Sequence, residues 1–358
     1  MGGYRRIYTD YWTRAAPSLP LPLAYVTPRH PLGDDLSEAS HTVPPMYRLL
    51  VWTSKGGTGK TTTVANTGAE LARLGHHVLM VGFDPQGDLE ATFGIEPGGD
   101  DDQSRDLNAL LAGQGDAREA PIDIEIPALP SRLPGKNRNA AKAPGTLRLL
   151  ASSPRLTQAT VELGQRGYRD LDRVLRELDE DADFALIDTQ GALTPISTTA
   201  AWAADGVLFT GEPGYYEARA LVARLADLTR LRGEGLHLDT VGLLFVRTNE
   251  RSRQMREYRQ HFTNAETFPE PLYVFRSHTR QQASVREHPG FQAPTAIVDP
   301  HSHVAEDYRQ FARELTERLA TIHKPGPFRA KRPQRNRAPF RAKRSQQNPG
   351  CPSASTRH

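Results

Sequence analysis

Cysteine is nearly absent from this sequence, which has a single residue of that type, Cys351, among 358. A disulfide framework needs paired cysteines, and a cysteine-ligated metal cluster needs several, so the composition excludes both. Long apolar runs are also missing, since none approaches the roughly 20 residues that span a bilayer. No apolar run or small-residue cleavage site follows Arg5 and Arg6, so we expect no secretory signal peptide. These absences are typical of a protein of the reducing cytoplasm.

Acidic residues are missing from residues 324–358, which nevertheless carry ten lysines and arginines. The whole chain has 45 basic and 42 acidic residues, so the part before residue 324 is net acidic. We interpret residues 324–358 as a disordered basic tail that binds a polyanion, with a merely solubilising tail as the alternative. Prolines are frequent in residues 1–45, and the segment lacks helical or alternating periodicity, which predicts a disordered extension.

Residues 46–323 predict one large α/β domain. Short apolar runs at 47–53, 77–83, 146–153, 184–189 and 240–246 are typical of buried parallel strands, and helical periodicity separates them. We therefore predict a mostly parallel central sheet with helices on both faces. Residues 97–145 contain many prolines and glycines and predict a mobile surface insertion with a short helix at 107–111.

A glycine-rich loop connects the first predicted strand to a helix that runs to about residue 74. Strand, glycine-rich loop and helix are the context of a phosphate-binding P-loop, whose backbone N–H groups surround phosphate oxygens. Lys60 can reach the β- and γ-phosphates, and the Thr61 hydroxyl can bind Mg²⁺. The residues predicted to bind the nucleotide are Lys55, Gly56, Gly57, Thr58, Gly59, Lys60, Thr61 and Thr62.

Two aspartates follow other predicted strands. Asp84 comes after 77–83 and is a candidate to orient or deprotonate an attacking water and to bind Mg²⁺, although Asp84-Pro85 can simply turn the chain. Asp188 lies near the end of 184–189 and is the second candidate Mg²⁺ residue, with helix capping as its alternative. Because the carboxyl ends of parallel strands meet at one edge of the sheet, we expect both beside the P-loop.

The loop Lys55-Gly-Gly-Thr-Gly-Lys60-Thr-Thr resembles the deviant Walker A motif of the ParA/MinD class of ATPases. Asp84-Pro-Gln-Gly-Asp88 resembles the switch I element of that family, and the resemblance covers about residues 47–323. It implies that Lys55 reaches across a dimer to the partner's nucleotide, with catalytic roles for Lys55, Lys60 and Asp84. A solvated loop lysine is the alternative for Lys55.

The resemblance is nearest to the ParA/Soj partition ATPases, and it implies an ATPase with ATP and Mg²⁺ as cofactors and a weak intrinsic rate. An ATP-bound homodimer would bind DNA nonspecifically, associate with the nucleoid in the cytoplasm and be released by hydrolysis that a centromere-binding, ParB-like partner stimulates. Rival functions are a MinD-like positioning ATPase at the membrane, although no membrane anchor is seen, and a metabolic P-loop synthetase.

The chain departs from the family pattern at two positions beside the switch. Gly82 stands where the family usually has Asp, and Asp88 stands where it usually has Asn. Both positions lie near the Mg²⁺ and the water in relatives, so a member that binds ATP but hardly hydrolyses it is a further alternative.

Two further interpretations concern the C-terminal part of the predicted domain. Arg276, Arg280 and Arg286, in a switch-like segment after a last strand at 272–275, are candidate contacts to DNA phosphates, with a solvated loop as the alternative. Asp299 is predicted to cap the terminal helix.

Overall fold

The chain folds around one eight-stranded sheet. A computed structural model describes residues 46–53, 57–96, 106–127, 144–165, 168–249, 253–264, 272–281 and 292–322. The strands are β1 (Tyr47–Trp52), β2 (Val78–Phe83), β3 (Ile122–Ile124), β4 (Leu147–Leu150), β5 (Phe184–Thr189), β6 (Gly206–Gly211), β7 (Asp239–Thr248) and β8 (Val274–Arg280). They lie in the order β3-β4-β2-β5-β1-β6-β7-β8. Only β3 pairs antiparallel among the described strands.

Helices connect the parallel strands, as a parallel crossover requires. They are α1 (Lys60–Arg73), α2 (Asp88–Thr92), α3 (Leu107–Leu111), α4 (Leu156–Gln165), α5 (Asp170–Glu177), α6 (Pro195–Ala203), α7 (Tyr215–Gly233), α8 (Arg253–Thr263), α9 (Thr295–Val298) and α10 (His303–Ile322). No described helix is both long and apolar enough to cross a membrane.

The sheet has a hydrophobic core on each face. Alternate residues of β2 divide between the two, with Leu79 and Val81 in one cluster and Val78 and Met80 in the other. Helices α3 to α8 contribute to the first cluster, and α1 and α10 contribute to the second. The predicted fold, a mostly parallel sheet with helices on both faces, is therefore confirmed.

Several local features differ from the sequence-based expectation. The short helix predicted at 107–111 is present as α3, but the predicted insertion 97–145 also forms β3, which was not expected and extends the sheet beyond β4. Strand β8 continues to Arg280, through residues that were expected to follow the last strand. Helix α10 begins at His303, and Ser302 Oγ, rather than Asp299, accepts the N–H of Ala305 at 3.1 Å. The predicted disordered ends, 1–45 and 324–358, lie outside the described residues.

Candidate nucleotide-binding site

The loop after β1 enters α1 through glycines with left-handed backbone. Gly57 has φ 76° and Gly59 has φ 75°, which residues with a Cβ rarely adopt. Gly59 is the N-cap of α1, and its carbonyl accepts the N–H of Thr63 at 2.8 Å. Lys60 and Thr61 follow in the first helical turn, where backbone N–H groups have no partner within the helix. This end of α1 is therefore suited to bind an anion.

Three threonines fix the base of the loop. Thr58 is 3% exposed, and its hydroxyl donates to Oγ1 of Thr53, at the end of β1, at 3.1 Å. Its carbonyl accepts the hydroxyl of Thr210, from β6, at 3.3 Å. Thr210 has no recognisable signal in the sequence, because only the pairing of β1 with β6 brings it to the loop. The loop is thus attached to two neighbouring strands.

Asp188 lies directly under the first turn of α1. The hydroxyl of Thr61 donates to Oδ2 of Asp188 at 2.7 Å. Asp188 is 1% exposed, and burial raises its pKa to about 7, against the lowering effects of the Thr61 hydrogen bond and the Lys60 charge. The negative charges of Asp84 and Glu90 raise that pKa further. The structure therefore brings Lys60, Thr61 and Asp188 together, as expected.

Asp84 lies just beyond the end of β2 and shapes a turn. Its Oδ1 accepts the N–H of Gln86 at 3.0 Å, and its carbonyl accepts the N–H of Gly87 at 3.1 Å. These bonds agree with the turn-forming alternative, and the negative charge of Asp84 contributes to the raised pKa of Asp188. A catalytic role and a metal-binding role for Asp84 stay predictions.

The described donor set fits Mg²⁺ held jointly with a nucleotide. Oδ1 of Asp188 is buried and has no hydrogen-bond partner among the described residues, while Oδ2 is adjacent to the Thr61 hydroxyl. The described residues contain no group of three or more His, Cys, Asp or Glu that could hold a metal by itself. Mg²⁺ typically uses one or two carboxylates together with substrate phosphates and water, so one aspartate and one hydroxyl are a suitable protein contribution.

Two predicted loop residues, Lys55 and Gly56, lie outside the described residues, so their roles stay predictions. Thr62 lies in the first turn of α1, where its carbonyl accepts Nδ2 of Asn66 at 2.7 Å.

The candidate DNA contacts in β8 are engaged by acidic residues of α10. Arg280 binds Asp307 through Nε at 3.0 Å and Nη2 at 2.5 Å. Arg276 is 81% exposed and lies 3.4 Å from Glu314. Arg286 is outside the described residues. The guanidinium of Arg280 thus holds α10 against the sheet, which weakens its candidacy as a DNA contact, while Arg276 keeps most of its surface exposed.

Residues 48–234 match the family AAA_31, described as an AAA domain. The chain is 30% identical over 278 residues to the chromosome-partitioning ATPase Soj of Thermus thermophilus, covering 76% of this chain and 96% of that protein.

Two solved structures have a similar fold. Cobyrinic acid a,c-diamide synthase of Mycobacterium smegmatis with ADP and magnesium has a TM-score of 0.59, 24% identity, and coverage of 78% of this chain and 97% of that one. The septum site-determining protein MinD of Pyrococcus horikoshii with Mg-ADP has a TM-score of 0.56, 21% identity, and coverage of 77% and 98%.

Proposed function

Because the chain belongs to the AAA domain family AAA_31, with Soj among its relatives, we propose that it is an ATP-dependent DNA partition ATPase. The observation that carries the proposal is the 2.7 Å hydrogen bond from Thr61 to Asp188, at the helix that follows the glycine loop. A hydroxyl and a buried carboxylate meet there beside the N-terminus of α1, which suits a Mg-nucleotide.

Each part of the loop has a defined task in this proposal. The N–H groups at the start of α1 bind the phosphates, and Lys60 neutralises charge on the β- and γ-phosphates. Thr61 and Asp188 would hold Mg²⁺, which when bound would supply neutralisation of the charge that develops during phosphoryl transfer. Asp84 orients the attacking water and accepts its proton.

ATP acts as a switch only if it binds one assembly state better than another. We propose that Lys55 of each subunit contacts the nucleotide of its partner, so that ATP favours a dimer. The dimer binds duplex DNA through basic surface and the tail at 324–358, which associates the protein with the nucleoid. Hydrolysis, stimulated by a centromere-binding partner protein, returns the monomer. Light scattering of the Asp84→Ala variant with ATP should give a dimer mass, and the additional change Lys55→Ala should abolish it.

A gel-shift experiment tests the proposal directly. Nonspecific duplex DNA should be retarded with ATP and much less with ADP or without nucleotide. Equal retardation in all three conditions would contradict an ATP switch. ATP-dependent sedimentation with anionic vesicles in place of DNA binding would instead support the MinD-like function.

A further inference from the structure

The space for a side chain at residue 82 is filled by the carboxylate of Glu90. Gly82 in β2 and Asp188 in β5 are partners in a parallel register, and such partners project to the same face of the sheet. A Cβ placed on Gly82 would overlap Oε1 of Glu90. Glu90, which comes from α2, therefore puts its carboxylate where a residue-82 side chain would lie, beside Asp188.

Glu90 is held firmly in this place. It is fully buried, and its Oε1 accepts the backbone N–H of Ser152 at 2.6 Å. The hydroxyl of Ser152 in turn donates to the carbonyl of Asp84 at 2.7 Å. Ser152, which follows β4, thus connects Glu90 to the turn that contains Asp84.

Glu90 and Asp188 each have one carboxylate oxygen that is available to bind a ligand. Oε2 of Glu90 and Oδ1 of Asp188 are both buried and lack a hydrogen-bond partner among the described residues. Leaving a buried polar atom without a partner costs about 1–3 kcal/mol. Asp84 and Glu90 also add negative charge around Asp188, and the positive charge of Lys60 acts against it.

We propose that Glu90 supplies the carboxylate that Gly82 lacks and that it positions a hydrated divalent cation, Mg²⁺, beside Asp188 when nucleotide binds. The inference rests on the proposed nucleotide site. Glu90 is a positioning residue that acts through the water ligands of the cation, since Mg²⁺ keeps several waters when phosphates bind it. Mutation of a residue that supports metal ligands in this way typically lowers the metal affinity by about 10–100-fold.

The first test removes the charge and keeps the shape. Glu90→Gln leaves an amide oxygen for the N–H of Ser152. Calorimetry should give the affinity for ADP with Mg²⁺ and with EDTA, so that hydrolysis plays no part. We expect the gain in ADP affinity from Mg²⁺ to fall by about 10-fold or more in the variant, with the affinity in EDTA unchanged. Glu96→Gln, at an exposed position after α2, is the matched control and should keep the full gain.

The outcomes separate the inference from the proposed function. An equal Mg²⁺ gain in the wild type and Glu90→Gln would overturn the role of Glu90 and leave the nucleotide site intact. A wild-type protein that binds no ADP in either condition would overturn the proposed function itself.

A rescue experiment distinguishes cation positioning from a purely structural role. Glu90→Ala should lose the Mg²⁺ gain, and Gly82→Asp alone should lose stability because its side chain overlaps Glu90. The double variant Gly82→Asp, Glu90→Ala puts a carboxylate back into the same space and should recover the Mg²⁺ gain to within a few fold of wild type. A double variant that folds but shows no recovery would contradict the proposal.

Discussion

The hydroxyl of Thr61 lies 2.7 Å from Oδ2 of Asp188, the buried carboxylate at the end of the central strand β5. Thr61→Val removes the hydroxyl at almost constant shape and leaves both oxygens of Asp188 without a protein partner. We expect the Mg²⁺ gain in ADP affinity to fall by about 10–100-fold, as calorimetry would measure. Thr61→Ser keeps the hydroxyl and should retain the gain. Equal loss in both variants would show that packing matters and the hydroxyl does not.

Lys60 is expected to bind the phosphates from the first residue of α1. Lys60→Ala removes a charge-assisted hydrogen bond of about 1.5–3 kcal/mol, so the dissociation constant for Mg-ADP should rise by about 10–100-fold. Fluorescence titration with a labelled ADP would measure it, and an unchanged urea unfolding curve would show that the fold is intact. Unaltered ADP affinity would refute the assignment of the phosphate-binding loop.

Arg48, in β1, has a buried, positively charged side chain. It is 7% exposed and lies 2.6 Å from Asp172 and 2.7 Å from Asp179. Arg48→Met leaves two carboxylates without their buried cation, so the free energy of unfolding in urea should fall by about 3 kcal/mol. Arg176, which is 70% exposed and also pairs with Asp172, supplies the control: Arg176→Ala should cost less than about 1 kcal/mol. Similar losses in the two variants would contradict the importance of burial.

Glu314 of α10 accepts the backbone N–H groups of Arg276 and Ser277, each at 2.8 Å. Burial alone would raise the pKa of Glu314, but hydrogen bonds from Ser277, Arg276 and Tyr273 outweigh it and hold the pKa below its usual value. Its contribution to stability is therefore complete above the unfolded-state pKa, about 4.3, and is lost as the pH falls through the lower folded-state pKa.

Glu314→Gln should accordingly lower the free energy of unfolding by about 1.5–3 kcal/mol at pH 7, and the difference from wild type should shrink as the pH falls below about 4. Urea unfolding across that range measures it. The control is Glu317→Gln, on the same helix and 71% exposed, which should change stability by less than about 0.5 kcal/mol. A difference that stays constant with pH would contradict the argument.

The basic tail at 324–358 should contribute to DNA affinity by releasing counterions from the phosphates. Deleting it should weaken binding of nonspecific duplex and reduce the slope of log affinity against log salt, by about 0.9 for every phosphate that the tail neutralises. Filter binding at several salt concentrations measures the slope. An identical slope for the shortened protein would support the solubilising alternative.

The strands at the centre of the sheet and the ATPase class could be predicted from the sequence alone. Lys60 and Thr61 follow a glycine-rich loop after an apolar strand, and this local pattern by itself indicates phosphate binding. The comparisons confirm the resemblance to the ParA/Soj ATPases. Asp188 was predicted for the same reason, since a carboxylate at the end of a buried strand has few structural uses beside a P-loop.

Features that depend on distant contacts were not predictable from local patterns. Gly82 was interpreted as a lost carboxylate, because nothing in the spacing shows that Glu90 fills its place from α2. Strand β3 is three residues long, and only its pairing with β4 identifies it. Asp299 and Ser302 are both suitable caps by residue type, and the direction in which the chain enters α10 decides between them.

The ion pair between Arg280 and Asp307 has a consequence for mutational surveys of the basic surface. Arg280 is neutralised by Asp307 and holds α10 against the sheet. If the protein binds DNA as proposed, replacing Arg280 would weaken binding by destabilising the fold, even if Arg280 contacts no phosphate. Such surveys therefore need a folding measurement for every arginine of β8, and the exposed Arg276 is the position in that strand where a loss of retention can be attributed to the nucleic acid.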